Sequence, residues 1–199
     1  MSDEAQLIAR AAGGDAVAFR RLYEAHRERV ARLAYRVLGG HRDLEDVVQE
    51  VFVQVYKSLP DFRGQSKFGT WLHRVTINVV LMQRRAARSR PIFAEASADD
   101  HVASHDSPAP DEDAECRERV RAFGRLLDRL ADKKRVVFVL HELEGVAPGE
   151  IAQIVGAPVL TVRTRLFYAR RELEAMLGDE PTLAAVQAAL AEAPEPRGA

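Results

Sequence analysis

Large apolar residues recur along the chain at spacings of three and four, with no sustained alternation of period two. That period fits the helical repeat of about 3.6 residues, so the chain reads as all-α. A first helix is predicted over residues 4–12; Gly13 and Gly14 end it, and Asp15 stands where it can cap the next. The second runs to about residue 38, with Phe19, Leu22, Tyr23, His26, Val30, Leu33 and Val37 on one stripe before Gly39 and Gly40. A third is predicted over 44–59, starting at Asp43 and stopping before Pro60. Leu44, Val47, Val48, Val51, Phe52, Val55 and Leu59 form its core face, while Asp46, Gln49, Glu50 and Gln54 lie on another. After the loop 60–66, a fourth helix is predicted over 68–88, with Trp71, Leu72, Val75, Val79 and Met82 inward.

Residues 95–115 break the pattern. They hold Asp, Ser, Ala and Pro with almost no large apolar group, so they read as a flexible linker that buries too little to offset ordering entropy. Fully extended, such a linker reaches roughly 70 Å, more than the roughly 35 Å of one DNA turn. A second helical domain is predicted over 116–178. It has Val120, Phe123, Leu126, Leu127 and Leu130 on one helix, then a helix over 136–144, then two short helices joined at Gly156, Ala157 and Pro158. That last pair is a helix-turn-helix pattern, whose second helix enters a DNA major groove. No Ser or Thr cap stands among Val146, Ala147, Pro148 and Gly149, so the start of the first helix of the pair is expected to be weakly fixed. The tail, 179–199, allows a short helix over 183–191 with Leu183, Val186 and Leu190 as a narrow stripe. The architecture expected is two small helical domains joined by a flexible acidic linker.

Net charge is only −1, which by itself argues weakly against a nucleic-acid binder. The distribution of that charge points the other way. From 62 to 94 there is no acid, but there are Arg63, Lys67, Arg74, Arg84, Arg85, Arg88 and Arg90. From 95 to 115 there are eight acids and no Lys or Arg. A basic block lies beside an acidic one. The single cysteine, Cys116, cannot form an internal disulfide, and no Cys/His cluster has zinc spacing. With no signal-peptide pattern at the N-terminus and no apolar run long enough to cross a bilayer, a cytoplasmic protein without membrane insertion is expected.

On the second helix of the pair, Val162, Leu166 and Ala169 pack inward, leaving Thr161, Arg163, Thr164, Arg165, Tyr168, Arg170 and Arg171 as candidate DNA contacts. Arginine suits guanine edges because it offers two donors in a fixed fork. A solvated basic helix is the plainer alternative. In the basic segment 63–90 and just before it, Phe62, Phe68, Trp71, His73 and Asn78 interleave with Arg63, Lys67, Arg74, Arg84 and Arg85. Positive charge tracks a phosphate backbone, and aromatic faces stack on unpaired bases; the alternative is that Phe68 and Trp71 are core. Asp46 and Glu50, one turn apart, lack further ligands for a metal site, and the helix dipole favours acids there. A protein-binding face of Asp46, Gln49, Glu50 and Gln54 is the sharper reading. No Gly-x-Ser-x-Gly, Walker loop or His-Glu-x-x-His occurs, and the six histidines are scattered, so neither catalysis nor a cofactor is expected.

Four segments in order complete the picture: Gly14-Asp-Ala-Val-Ala-Phe-Arg-Arg-Leu-Tyr23, Asp43-Leu-Glu-Asp-Val-Val-Gln-Glu-Val-Phe52, Phe62-Arg-Gly-Gln-Ser-Lys-Phe-Gly-Thr-Trp-Leu-His-Arg-Val-Thr-Ile-Asn78, and residues 130–171. Together they resemble bacterial RNA polymerase sigma factors of the extracytoplasmic-function (ECF) group of the sigma-70 family. The resemblance implies sigma domain 2 over 1–94 and sigma domain 4 over 116–178. It implies that Asp46, Gln49, Glu50 and Gln54 dock on core RNA polymerase. Residues 62–85 would read and open the minus-ten element of promoter DNA, and 159–171 would read the minus-thirty-five element. An anti-sigma factor that grips both domains is a further implied partner. Leu160 and Tyr168 depart from the family, standing where a small or polar residue and a basic one are common, which bears on the DNA sequence preferred.

A stand-alone helix-turn-helix regulator fits 145–171 equally well but leaves the 43–90 pattern unexplained. A helical enzyme built on Asp46 and Glu50 lacks a ligand set.

Overall fold

The computed structural model describes residues 3–39, 44–89, 112–178 and 183, with side chains of the third stretch described from 116. Among these residues there are eight α-helices and no strand. They fall into two compact units, the first holding α1, α2 up to Tyr35, α3 and α4, the second built on α5 to α8.

In the first unit, α1 (Asp3–Ala12) ends at the glycine pair, and Gly14 takes a φ of 91°, a left-handed conformation that costs glycine little. Asp15 then caps α2 (Ala16–Leu38) as its sequence position predicts. Its Oδ1 accepts the amides of Val17 at 2.9 Å and Ala18 at 3.0 Å, while Arg10 Nη2 donates to Oδ2 at 2.7 Å. These bonds hold the Asp15 carboxyl below its ordinary range, the backbone amide of Ala18 contributing most. α2 buries Ala18, Leu22, Val30, Leu33 and Ala34. α3 (Leu44–Ser58) buries Val47, Val48, Val51, Phe52 and Val55, and Leu44 is half-buried. Pro60 lacks an amide hydrogen, so the chain tightens after Ser58 into a 3₁₀ turn, Leu59–Asp61, one residue short of the predicted helix end. α4 (Phe68–Ser89) packs along α3. Each fully buried Leu, Val or Phe in this unit contributes on the order of 2 kcal/mol.

Two expectations for α4 fail. Met82, predicted inward, is 48% exposed, whereas Arg84 is buried. Arg84 extends the inward series Thr76 and Val80 at a spacing of four, so the helical period carries it inside despite its charge.

In the second unit, α5 (Glu112–Arg129) begins inside the predicted linker, so that expectation is corrected at 112–115. Residues 95–111 lie outside the described residues. α5 buries Ala122, Leu126 and Leu127, but Val120, predicted inward, is exposed, as are all of 116–119. α6 (Asp132–Phe138) continues as a π-helical turn, Val139–Leu143, where the sequence predicts plain helix. The Val146 amide donates to the Leu140 carbonyl at 2.8 Å, and His141 Nδ1 lies 3.0 Å from the Val146 carbonyl, closing the loop that follows.

α7 (Pro148–Val155) has no side-chain cap. Its start is nonetheless well defined, because Pro148 occupies a first-turn position where its fixed φ suits the helix and its missing hydrogen bond is no loss. Gly156 ends it with a φ of 62°, and α8 (Val159–Leu177) follows directly after Pro158. Val162, Leu166, Ala169, Leu173 and Leu177 are buried on α8, against α6 and α7. In the tail, Leu183 is fully buried; the predicted helix over 183–191, with Val186 and Leu190, otherwise lies outside the described residues.

Candidate nucleic-acid and protein interfaces

Three surfaces carry the residues singled out by the sequence. The first is on α3. Val47, Val48 and Val51 turn inward, which leaves Asp46, Gln49 and Gln54 exposed and Glu50 half-buried at spacings of three and four. Two exposed apolar residues, Val53 and Tyr56, extend this surface toward the end of the helix. The rings of Tyr56 and Phe19 of α2 meet nearly at right angles, with centroids 5.1 Å apart. A groove of about 240 Å³ between α2 and α3 borders the face, lined by Tyr23, Arg27, Glu45, Val48 and Gln49 among others. Arg27 Nη2 bridges to Glu45 Oε1 at 2.9 Å beside it. Among the described residues, no three His, Cys, Asp or Glu side chains converge as a metal-holding group.

The second surface runs from the 62–67 loop along α4. Phe62, Phe68 and Trp71 pack on one another with centroids 5.2 to 5.8 Å apart, and Phe68 also meets His26 at 5.2 Å. Phe68 is buried at the bottom of this cluster, so it serves the core and cannot stack on a base, contrary to its inclusion among DNA contacts. Phe62 and Trp71 are half-buried and keep part of their surface open. Beyond them, Lys67, Trp71, Arg74, Asn78 and Arg85 recur at three, four and seven, and all but Trp71 are exposed. That is one helical stripe, with exposed Arg63 in the loop at its head. Arg84 is not on it: burial withdraws this arginine from the DNA-contact set.

The structure adds a cation that the sequence pattern misses. A Cβ built on Gly69 would come within 3.3 Å of Arg29 Nη1, so this guanidinium from α2 lies against the first turn of α4. Arg29 is far from Gly69 in sequence, and no local spacing signals the approach. His26, on the same helix, is shifted below its ordinary value, mainly by burial, with Arg29 adding to the shift; Glu4 Oε1, 3.4 Å from Nε2, opposes it.

The third surface is the outer side of α8. Leu160, Thr164, Tyr168 and Arg171 are exposed, and Thr161, Arg163 and Arg165 are half-buried on the shoulders. Thr164 Oγ1 donates to the Leu160 carbonyl at 2.9 Å. The Arg171 guanidinium lies 5.7 Å from the Phe167 ring centroid. Lys134 of α6 approaches the Tyr168 ring at 5.8 Å and is bonded to Glu172. Arg170 breaks from the expected set. It is buried, with Nε donating at 2.8 Å and Nη2 at 2.6 Å to Glu142 Oε1, so it joins α8 to the π-helical turn instead of facing DNA.

A helix-turn-helix in one unit and a cation-lined helix in the other fit a DNA-binding transcription protein. Residues 22–90 match Sigma-70 region 2 and residues 121–173 match Sigma-70, region 4. The chain is 35% identical over 180 residues to the ECF RNA polymerase sigma-E factor of Haemophilus influenzae, covering 87% of this chain and 94% of that one. It is 33% identical over 174 residues to the ECF RNA polymerase sigma-E factor of Escherichia coli K12, covering 84% and 91%. Among solved structures it is similar to CnrH in complex with the cytosolic domain of CnrY, with a TM-score of 0.67 at 28% identity over 90% of this chain and 99% of that one. It also shares the fold of the sigma factor RpoE in complex with the anti-sigma factor NepR from Bartonella quintana, with a TM-score of 0.61 at 22% identity over 81% and 98%. The chain belongs to the ECF group of sigma-70 family RNA polymerase sigma factors. Its function is accordingly promoter-specific initiation of transcription, and the stand-alone regulator is not favoured. No described helix is long and apolar enough to cross a membrane.

Proposed function

We propose a division of labour among the three surfaces. The α3 face of Asp46, Gln49, Glu50 and Gln54 docks on core RNA polymerase, its carboxylates meeting basic groups there. The stripe of Arg63, Lys67, Arg74, Asn78 and Arg85, with the open edges of Phe62 and Trp71 and the nearby Arg29, receives the opened minus-ten strand. Cations there follow phosphates, Asn78 offers a donor and an acceptor to a base edge, and the two aromatics recover part of the stacking lost on melting. The outer side of α8 enters the major groove of the minus-thirty-five element. Residues 1–94 thus act as sigma domain 2 and 116–178 as sigma domain 4. The protein works in the cytoplasm as a specificity subunit with no catalysis of its own. An anti-sigma factor, of the kind bound to the Bartonella quintana RpoE, is its negative partner.

One observation carries this reading. Within the first unit, the acid-and-amide face and the cationic stripe are borne by two different helices that share a core, so protein and nucleic acid can be held at once. The test is reconstitution of the full chain with core RNA polymerase, followed by transcription from a library of promoter DNA. Start-site-specific transcripts that disappear on Arg74→Ala and Asn78→Ala, with polymerase binding kept, are expected. Unchanged transcription by both variants would remove the minus-ten assignment.

A further inference from the structure

Leu160 is the most exposed large apolar residue among those described, with 72% of its surface open. An exposed leucine alone needs no explanation. This one stands in the first turn of α8, the part of such a helix whose residues reach base edges. Its neighbour one turn on is Thr164, whose hydroxyl donates to the Leu160 carbonyl at 2.9 Å. That bond commits the hydroxyl hydrogen to the main chain, so the methyl is the apolar group that Thr164 can offer to a partner. Val162, Leu166, Ala169 and Leu173 mark the inward side, so Leu160 and Thr164 occupy the middle of the outward side. Arg163 and Arg165, both half-buried, fall on the two shoulders. A surface with an apolar centre and cationic flanks matches the section of a major groove, where base edges form the floor and phosphates the walls.

We propose that Leu160 is a specificity-determining residue that reads a thymine of the minus-thirty-five element through its C5 methyl, with the Thr164 methyl beside it. This rests on the assignment of α8 to that element. Thymine alone among the four bases presents a methyl in the major groove. Contact between that methyl and the leucine side chain removes apolar surface from water on both partners, which cytosine, adenine and guanine cannot reproduce. The shoulder arginines then position the helix without choosing the base.

The test uses holoenzyme reconstituted from the full chain and core RNA polymerase. Duplexes are enriched from a pool randomised through the upstream element, and each selected thymine is replaced in turn by deoxyuracil, which removes one methyl. One thymine is expected whose replacement weakens binding by about three- to five-fold, the scale of a single buried methyl. Leu160→Ala and Leu160→Gln holoenzymes are expected to be indifferent to that replacement, while Arg165→Ala stays sensitive to it. Tolerance of deoxyuracil at every position by the unmodified protein would overturn the proposal. So would undiminished sensitivity in both Leu160 variants. If Leu160 instead seats a protein partner, all three proteins select the same duplexes with the same response, which also overturns it. Failure of the α8 assignment looks different: the unmodified holoenzyme would then enrich no upstream sequence at all.

Discussion

Arg170 Nη2 lies 2.6 Å from Glu142 Oε1, and both side chains are largely withdrawn from solvent. The pair fastens the middle of α8 to the π-helical turn that precedes the helix-turn-helix. An arginine in a run of basic residues therefore serves to orient the run. Replacing Glu142 with Ala removes the Nε and Nη2 bonds from a buried guanidinium and is expected to cost about 2 kcal/mol. Denaturant unfolding of the full chain measures this, and a loss no larger than that of an exposed glutamate would show that the pair contributes little.

Arg165 stands on a shoulder of α8, and its expected partner is a phosphate. Arg165→Ala should weaken DNA binding by a similar factor on all sequences and reduce the salt slope by about one. A loss confined to one base pair, on the scale of about 1–3 kcal/mol, would instead mark bidentate reading of that base.

Asp46 and Glu50 lie on the α3 surface, opposite the buried valines. Changing both to Ala should lower the affinity for core polymerase at least ten-fold, with no more than a small drop in melting temperature. The first follows if these carboxylates meet basic groups on the partner, the second from their place outside the buried stripe of α3. Equal affinity of the double variant and the unmodified chain would end the docking assignment.

His26 gives the first unit a pH dependence of definite sign. Burial holds its folded pKa below the ordinary 6.5. The unfolded chain therefore takes up this proton more readily than the folded one. The stabilisation is complete above the unfolded pKa and is lost as pH falls through the folded value. Melting temperatures from about pH 7 to about pH 5 should drop more steeply for the unmodified chain than for His26→Gln. Parallel curves would mean that His26 titrates alike in both states.

Gly156 holds a left-handed conformation with open space where a Cβ would stand. Gly156→Ala is expected to cost about 1 kcal/mol by backbone strain alone. Thermal unfolding measures it, and a cost several times larger would point to a steric clash that the open space does not predict.

Helical periodicity made the fold legible where apolar side chains mark it. The stripe Val47, Val48, Val51, Phe52 and Val55 is inward as its spacing demands, and the Asp15 cap forms as its position before α2 requires. Charge was the misleading signal at Arg84 and Arg170. Both continue or border an inward stripe, yet counting them with their basic neighbours placed them outside. Phe68 misled in the other direction, because an aromatic suited to stacking on a base is equally suited to stacking on Phe62, Trp71 and His26. The want of a side-chain cap made the start of α7 read as weakly fixed, whereas Pro148 sets it through its backbone. The approach of Arg29 to Gly69 and the π-helical turn arise from tertiary packing and have no local pattern to betray them.

The turn between α7 and α8 is specified by Gly156 and Pro158, neither of which brings a reactive or charged group. Its angle is set by main-chain torsions and by the buried face of α8. The outward positions 160, 164 and 168 thereby carry little of the scaffold's packing. Promoter preference can drift, or be engineered, by exchanging those three side chains while the frame that presents them stays fixed.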